Sequence, residues 1–131
     1  MPPGQAWAEP APHLVCAAVA LSAGRPEAST ASLDAADGIL ARLPAGQQAA
    51  SRLAAAVIRL AASRRTGDLA AAAAAAALAE TLVDRVPGGN PARHRAIRAQ
   101  VLSGRGAVEL WSGHLDAAAR TLQAGAAAAS R

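Results

Sequence analysis

The side chains best suited to chemistry in this sequence are its arginines, because the chain has no lysine. Arg95, Arg98 and Arg105 recur at helical spacing and would lie along one face of a helix. Arg64 and Arg65 end an earlier apolar stretch, where cations complement the helix dipole. Guanidinium groups bind carboxylates and phosphates through paired hydrogen bonds. The pattern indicates either a surface for an anionic ligand or a solvated helix face.

The other polar residues do not form a pattern typical of catalysis. The three histidines lack the spacing of metal ligands. Cys16 has no base near it in sequence, so we expect it to be a small buried residue. Asp34 and Asp37 would share a solvated helix face. Glu109 and Asp116 flank a turn, where they would form either a carboxylate pair or a structural contact. Without lysine, Schiff-base chemistry and a P-loop lysine are excluded. We expect no enzyme, no metal site and no cofactor within this chain.

The composition predicts an all-α fold. Of the 131 residues, 53% are hydrophobic but only 2% are aromatic, and alanine supplies roughly a third of the chain. Alanine is the best helix former, whereas the β-branched and aromatic residues that favour strands are scarce. The net charge of +4 is modest. Lysine-free, arginine-rich usage of this kind is typical of a GC-rich bacterial genome.

Apolar periodicity and turn residues predict six helices in about three antiparallel hairpins. The predicted helices span about 11–23, 26–43, 47–65, 69–86, 92–111, and 114 to near the C-terminus. Residues 1–10 would be a flexible tail or linker, and 11–131 a single helical-repeat domain. The residues expected to point inward are Leu33, Ala36, Leu40, Leu43, Leu53, Val57, Leu60, Leu78, Leu82, Val86, Ile97, Val101, Gly104, Val108, Trp111, Leu115, Ala118 and Leu122.

A short phrase recurs along the chain. Gly67-Asp68-Leu69 returns as Gly113-His114-Leu115, and a weaker copy begins at Gly24. The glycines are roughly 43 to 46 residues apart, which is typical of a stacked helical-repeat array. Both ends lack a polar capping repeat, so we expect a piece of a longer array.

The segment 102–129 resembles a tetratricopeptide repeat. Gly106 matches the small residue of the first helix, Gly113 the turn glycine, Ala118 the small residue at the helix crossing, and Leu122 the large residue of the second helix. His114 departs from the usual aspartate, Gly125 from the usual alanine, and Leu60 occupies the first-helix glycine position in the second copy. The resemblance implies a tetratricopeptide-like α-α superhelix.

Most of residues 11–125 also resemble the helical-repeat region of large LuxR-type, MalT-like, ATP-dependent transcriptional regulators. The phrases that carry this resemblance are Ala-Ser-Arg-Arg-Thr-Gly-Asp-Leu-Ala-Ala from Ala62 and Val-Glu-Leu-Trp-Ser-Gly-His-Leu-Asp-Ala-Ala from Val108. The resemblance implies a sensor module that binds an inducer or a protein partner and couples it to self-association. ATP and DNA would bind to other domains of the parent protein.

In tetratricopeptide arrays the first helix of each hairpin lines the concave groove. Mapped onto this chain, that wall includes Val57 and Ala107 and the candidate ligand-binding residues Arg64, Arg65, Gln100, Ser103 and Trp111. Arg95 and Arg98 join these candidates as part of the arginine-rich face. Tryptophan is favoured at binding hot spots, although plain core packing also accounts for Trp111. Ser103-Gly104-Arg105-Gly106 is similar to a phosphate loop, but its position inside a helical pattern indicates close helix packing instead.

Two rival functions remain open at this stage. A free-standing tetratricopeptide-like adaptor would bind a peptide or protein partner in the same groove. Direct nucleic-acid binding would use the arginines, but the chain has no Phe or Tyr for base stacking.

No basic leader precedes the apolar stretch 14–23, and the alanine run 70–77 is too short to span a bilayer. We therefore expect a cytoplasmic protein that does not bind membranes.

Overall fold

The computed structural model describes residues 9–44, 46, 48–86 and 90–130, and within these the chain forms six α-helices and no strands. The predicted all-α class is confirmed. The helices are α1 (Pro10–Ser22), α2 (Pro26–Leu40), α3 (Ala49–Thr66), α4 (Leu69–Val83), α5 (Pro91–Trp111) and α6 (Leu115–Ala129). Most of the predicted tail, the start of the predicted third helix at 47, and residues 87–89 between the predicted fourth and fifth helices lie outside the described residues.

The helices begin where local chemistry favours it. Three of them start with a proline, whose fixed φ suits the first helical turn. Asp68 caps α4, as predicted, by accepting a hydrogen bond from the Ala71 amide at 3.0 Å. Asn90 caps α5 in the same way through the Ala92 amide at 2.8 Å. The predicted C-terminal ends of α2 and α4 are wrong by three residues, because these helices stop at Leu40 and Val83.

The three turn glycines adopt the same left-handed conformation. Gly24, Gly67 and Gly113 have φ values of 76°, 77° and 84°. At each turn the glycine amide and the next amide bond back to carbonyls three and five residues earlier, which closes the helix as a Schellman motif. The weak copy at Gly24 therefore ends its helix as the two clear copies do.

The turns divide the described chain into three helical hairpins, α1–α2, α3–α4 and α5–α6. The first helix of each later hairpin also packs on both helices of the preceding one, so that α3 contacts α1 and α2, and α5 contacts α3 and α4. The buried clusters cross these junctions: Ala55 joins Leu14 and Leu33, and Val108 joins Leu60 and Ala76. The core is therefore shared between neighbouring hairpins.

Each hairpin places one large and one small residue at matching positions, seven residues before and nine residues after its turn glycine. The small partner lies on the first helix in hairpins one and three and on the second helix in hairpin two. The pairs, in chain order, are Ala17 with Leu33, Leu60 with Ala76, and Gly106 with Leu122. A β-carbon at Gly106 would lie 2.5 Å from Leu122 Cδ2, so the third pair is in direct contact. The summed side-chain volume is kept while its location alternates.

Several residues predicted to point inward are exposed. Leu78 is 44% exposed because α4 buries its alanines 72, 75, 76 and 79 instead, and Leu78 lies off that stripe. Trp111, Leu115 and Leu122 are 75%, 63% and 39% exposed, and the first two flank the turn between α5 and α6. Cys16, expected to be buried, is also exposed. The prediction assigned large apolar residues to the core, whereas burial depends on which side of each helix contacts a neighbouring helix.

None of the helices in the described ranges has the length and apolar character needed to cross a membrane.

Candidate functional site: a groove between the first helices

A cavity of about 350 Å³ lies between the C-terminal ends of α3 and α5. We call it the arginine–tryptophan cavity. Its lining consists of Ala61, Arg64, Arg65, Leu69, Ala107, Val108 and Trp111. The structure thus brings together three of the predicted site residues, Arg64, Arg65 and Trp111, with the predicted wall residue Ala107.

The two arginines of this cavity have different environments. The Arg65 guanidinium donates to the Leu21 carbonyl near the end of α1, and so it also ties the second hairpin to the first. Arg64 is exposed, and its side chain makes no hydrogen bond or ion pair with the described residues. Among these two, Arg64 is the cation free to meet a ligand.

A second cavity, of about 470 Å³, lies between the N-terminal parts of α3 and α5. We call it the apolar cavity. Its lining consists of Ala50, Leu53, Ala54, Val57, Ile58, Val83, Val86, Asn90, Arg93, His94, Ile97 and Gln100. The predicted residues Val57 and Gln100 lie here. Aliphatic side chains form most of its wall, and Arg93 and His94 stand at its open N-terminal end.

The two cavities lie end to end along one helix face. Their α3 residues 50, 54, 57, 61 and 64 recur every three or four positions, and their α5 residues 93, 97, 100, 107 and 111 are three, four or seven positions apart. Such spacing places each set on one side of its helix. The groove, meaning both cavities together, is therefore mostly aliphatic in the apolar cavity, mixed in the arginine–tryptophan cavity, and has arginines at both ends.

The remaining predicted candidates lie elsewhere. Arg98 bonds to Asp84 of α4 at 3.3 Å, and both line a smaller cavity between α4 and α5. Ser103 is exposed, and its Oγ lies 3.4 Å from the position of a β-carbon at Gly125 of α6. Arg95 is half-buried and lines neither cavity of the groove. The groove therefore contains four of the seven predicted site residues.

Ion pairs between hairpins engage arginines that the sequence offered for anion binding. Arg105 of α5 donates two hydrogen bonds to Glu80 of α4, at 2.8 and 3.0 Å. Hydrogen bonding to this carboxylate, helped by its charge, raises the pKa of Arg105 above its ordinary value. Arg59 of α3 likewise bonds to Asp34 and Asp37 of α2, at 3.1 and 2.9 Å. These arginines already have carboxylate partners within the chain.

Sequence reasoning missed that the two bridges are equivalent. Arg59 and Arg105 each stand eight residues before their turn glycine, and their partners Asp37 and Glu80 each stand thirteen residues after the preceding turn glycine. The regular positions of the arginines and acidic residues relative to the turn glycines could have revealed these ion pairs. Asp34 and Asp37 lie on a solvated face, as expected, and they also join two hairpins.

Glu109 lies beside a cation. Its side chain is mostly buried, and its Oε1 is 3.4 Å from Arg105 Nε, an ion-pair distance without a hydrogen bond. Asp116 stands exposed in the first turn of α6. Among the described residues, no three His, Cys, Asp or Glu side chains gather where they could hold a metal ion.

Neither cavity of the groove is lined by a carboxylate among the described residues. This arrangement can bind apolar and anionic groups side by side. No protein-family model, curated protein or solved structure matches the chain.

Proposed function

We propose that the chain is a non-catalytic binding module with a tetratricopeptide-like superhelical arrangement, whose groove takes an acidic, partly apolar segment of a protein partner. The observation that carries this proposal is the groove itself, two neighbouring cavities between α3 and α5 that combine aliphatic walls with arginines at both ends.

The packing order supports the superhelical arrangement. In tetratricopeptide arrays each first helix packs against both helices of the preceding hairpin, and the first helices line the concave side. Here α3 and α5 contact both helices of the hairpins before them, and the groove lies between these two first helices.

The charges favour an acidic ligand. Arg64 projects from the groove without a partner among the described residues, and Arg93 is exposed at the opposite end. Arginine binds carboxylates through two parallel hydrogen bonds, which gives both affinity and orientation. Trp111, three-quarters exposed beside Arg64, offers a broad apolar surface of the kind found at binding hot spots.

The wider assignment we propose is the sensor part of a LuxR-type regulator. It rests on the phrases around Gly67 and Gly113, which correspond in the structure to two equivalent Schellman turns. The complete reading frame tests this assignment. A frame with neither a P-loop upstream nor a helix-turn-helix downstream would remove it, and a free-standing adaptor would then be the better description.

Peptide selection tests the groove. A displayed library of random 16-residue peptides is selected against the chain, and enriched sequences are titrated against Arg64→Glu and Trp111→Ala. We expect enriched peptides to be acidic and both variants to lose at least tenfold in affinity, about 1.4 kcal/mol. Arg120→Glu, an equal charge change at an exposed position of α6, is the matched control. Equal binding to Arg64→Glu and Arg120→Glu would refute the proposal.

A further inference from the structure

Two outer helix faces carry exposed apolar side chains. On α1, Val15 and Val19 are 62% and 58% exposed, and Cys16 between them is exposed as well. We call these three residues the leading face. On α6 the trailing face consists of Leu115, Leu122, Ala126 and Ala129, which are also exposed. Isolated exposed apolar residues are ordinary, but these occur at helical spacing on the two end helices.

The repeat shows what covers the leading face in the other hairpins. Val15, Cys16 and Val19 stand nine, eight and five residues before Gly24. At the same distances before Gly67 are Ile58, Arg59 and Ala62, and before Gly113 are Gly104, Arg105 and Val108.

All six of those equivalent positions contact the preceding hairpin or are half-buried or buried. Ile58 packs on the cluster that contains Leu33 and Ala36 of α2, and Arg59 bonds to the α2 aspartates. In the third hairpin, Arg105 bonds to Glu80 and Val108 packs with the alanines of α4. The occupant of this surface is thus the second helix of another hairpin.

The trailing face has equally clear counterparts. Counted from the turn glycine, Leu122, Ala126 and Ala129 match Ala76, Glu80 and Val83 of α4. Ala76 and Val83 are each 1% exposed because α5 covers them, and Glu80 holds Arg105. The occupant of this surface is the first helix of another hairpin.

The charges of the two faces match each other. At both internal junctions an arginine faces a carboxylate, Arg59 to Asp37 and Arg105 to Glu80. On the outer faces the arginine position holds Cys16, and its acidic counterpart on α6 is Ala126. Contact between the leading and trailing faces therefore leaves no charge without a partner. If either face instead met a surface like those at the internal junctions, the arginine or the carboxylate of that surface would lack its partner.

We infer that the leading face of α1 docks on the trailing face of α6 from a second copy of this chain, head to tail. The contact repeats the geometry of the internal junctions, without their ion pair. Since the two surfaces differ, a dimer keeps one unused copy of each face, and association continues into larger species as concentration rises. The inference concerns surfaces outside the groove, so it does not depend on the proposed ligand.

Sedimentation velocity across a concentration series, under reducing conditions that exclude a Cys16 disulfide, tests the inference. We expect the unmodified chain to form dimers and longer species as concentration increases. Val15→Glu/Val19→Glu should keep the chain monomeric, and so should Leu115→Glu/Ala126→Glu. Ala18→Glu and Gln123→Glu are matched controls. Their counterparts in the second hairpin are Ala61, which lines the groove, and Ala77, which stays exposed.

Mixing the two double variants gives the decisive result. Each keeps one intact face, so the mixture should form a one-to-one dimer and nothing larger. That recovery also shows that both variants are folded. A chain that stays monomeric at every concentration would overturn the inference. So would association abolished by one double variant but not the other, or reduced equally by the controls.

The missing ion pair provides a second readout. Cys16→Arg or Ala126→Glu places one charge without a partner at the contact and should weaken association about two- to fivefold. The chain carrying both changes recreates the pairing of Arg105 with Glu80 and should recover that loss. Additive weakening in the double variant would contradict the proposed register.

Discussion

The side chain of Leu60 on α3 occupies the space that a β-carbon would fill at Gly104 on α5. Leu60 is only 3% exposed, so it has little room to move aside. Gly104 belongs to the segment that is similar in sequence to a phosphate loop, but here it lies inside α5, where it permits close approach of two helices. The role of this glycine is therefore steric.

Gly104→Ala should destabilise the fold. The added methyl would overlap Leu60, and overpacking of this kind costs about 1–3 kcal/mol. The better helix propensity of alanine offsets about 1 kcal/mol of this cost, so we expect a net loss of up to about 2 kcal/mol. Urea denaturation measures the change, and Leu60→Ala should cost less in the Gly104→Ala background than in the unmodified chain.

Gly38→Ala is the matched control for that substitution. Gly38 also lies within a helix, and a β-carbon there meets nothing within 4 Å. We expect this change to increase the free energy of unfolding by about 0.5–1 kcal/mol. If both alanine variants were stabilised alike, the steric explanation for Gly104 would fail.

Gly67→Ala tests the turn conformation. Gly67 has a φ of 77° and open space around its missing β-carbon, so the cost comes from the backbone alone. We expect a loss of about 1–2 kcal/mol. Gly67→Asn should lose less, because asparagine tolerates the left-handed region better than alanine does. A Gly67→Asn variant as unstable as Gly67→Ala would argue for a cause other than φ.

A further prediction concerns helix capping at two equivalent turns. Asp68 caps α4, whereas the side chain of His114 makes no capping hydrogen bond to α6. Thermal denaturation should show that Asp68→Ala lowers stability by about 1 kcal/mol. His114→Asp should raise it by about 0.5–1 kcal/mol, because a carboxylate there can accept an amide hydrogen bond and favours the helix dipole. A loss of stability in His114→Asp would contradict the equivalence of the two turns.

The Arg105–Glu80 bridge should contribute modestly to stability. Both side chains are partly exposed, and such pairs contribute at most about 1 kcal/mol. Because the pKa of Arg105 is raised, deprotonation of this arginine removes the contribution only as the pH rises above the ordinary arginine pKa. A double-mutant cycle with Arg105→Met and Glu80→Gln should give a coupling energy that shrinks at 1 M salt. A coupling insensitive to salt would point to packing instead.

Periodicity, prolines and turn glycines were sufficient to predict the helices, because these features act within a few residues. Gly24, Gly67 and Gly113 end their helices as expected, since a left-handed residue there needs no distant partner. The exposure of Leu78 and Trp111 could not be predicted from such local features. Which stripe of a helix is covered depends on the neighbouring helix, and in α4 the alanines form that contact.

The groove was predictable only in part. Arg64, Arg65 and Trp111 lie together because they end the two helices that line the groove, and the repeat spacing carried that information. The sequence separation of Arg98 and Arg105 was as consistent with a ligand-binding surface as with ion pairs inside the chain. Only the positions of Asp84 and Glu80 on the neighbouring helix show that these arginines are already paired.

The alternation of large and small residues between hairpins means that the three hairpins are not interchangeable parts. Duplicating the second hairpin in place of the third would set the copy of Ile58 against Leu60, where Gly104 now leaves room. Each copy is fitted to its own neighbours, so the order of the hairpins is itself encoded. An array of this kind can lengthen by copying a unit only if compensating substitutions follow on both sides of the new junction.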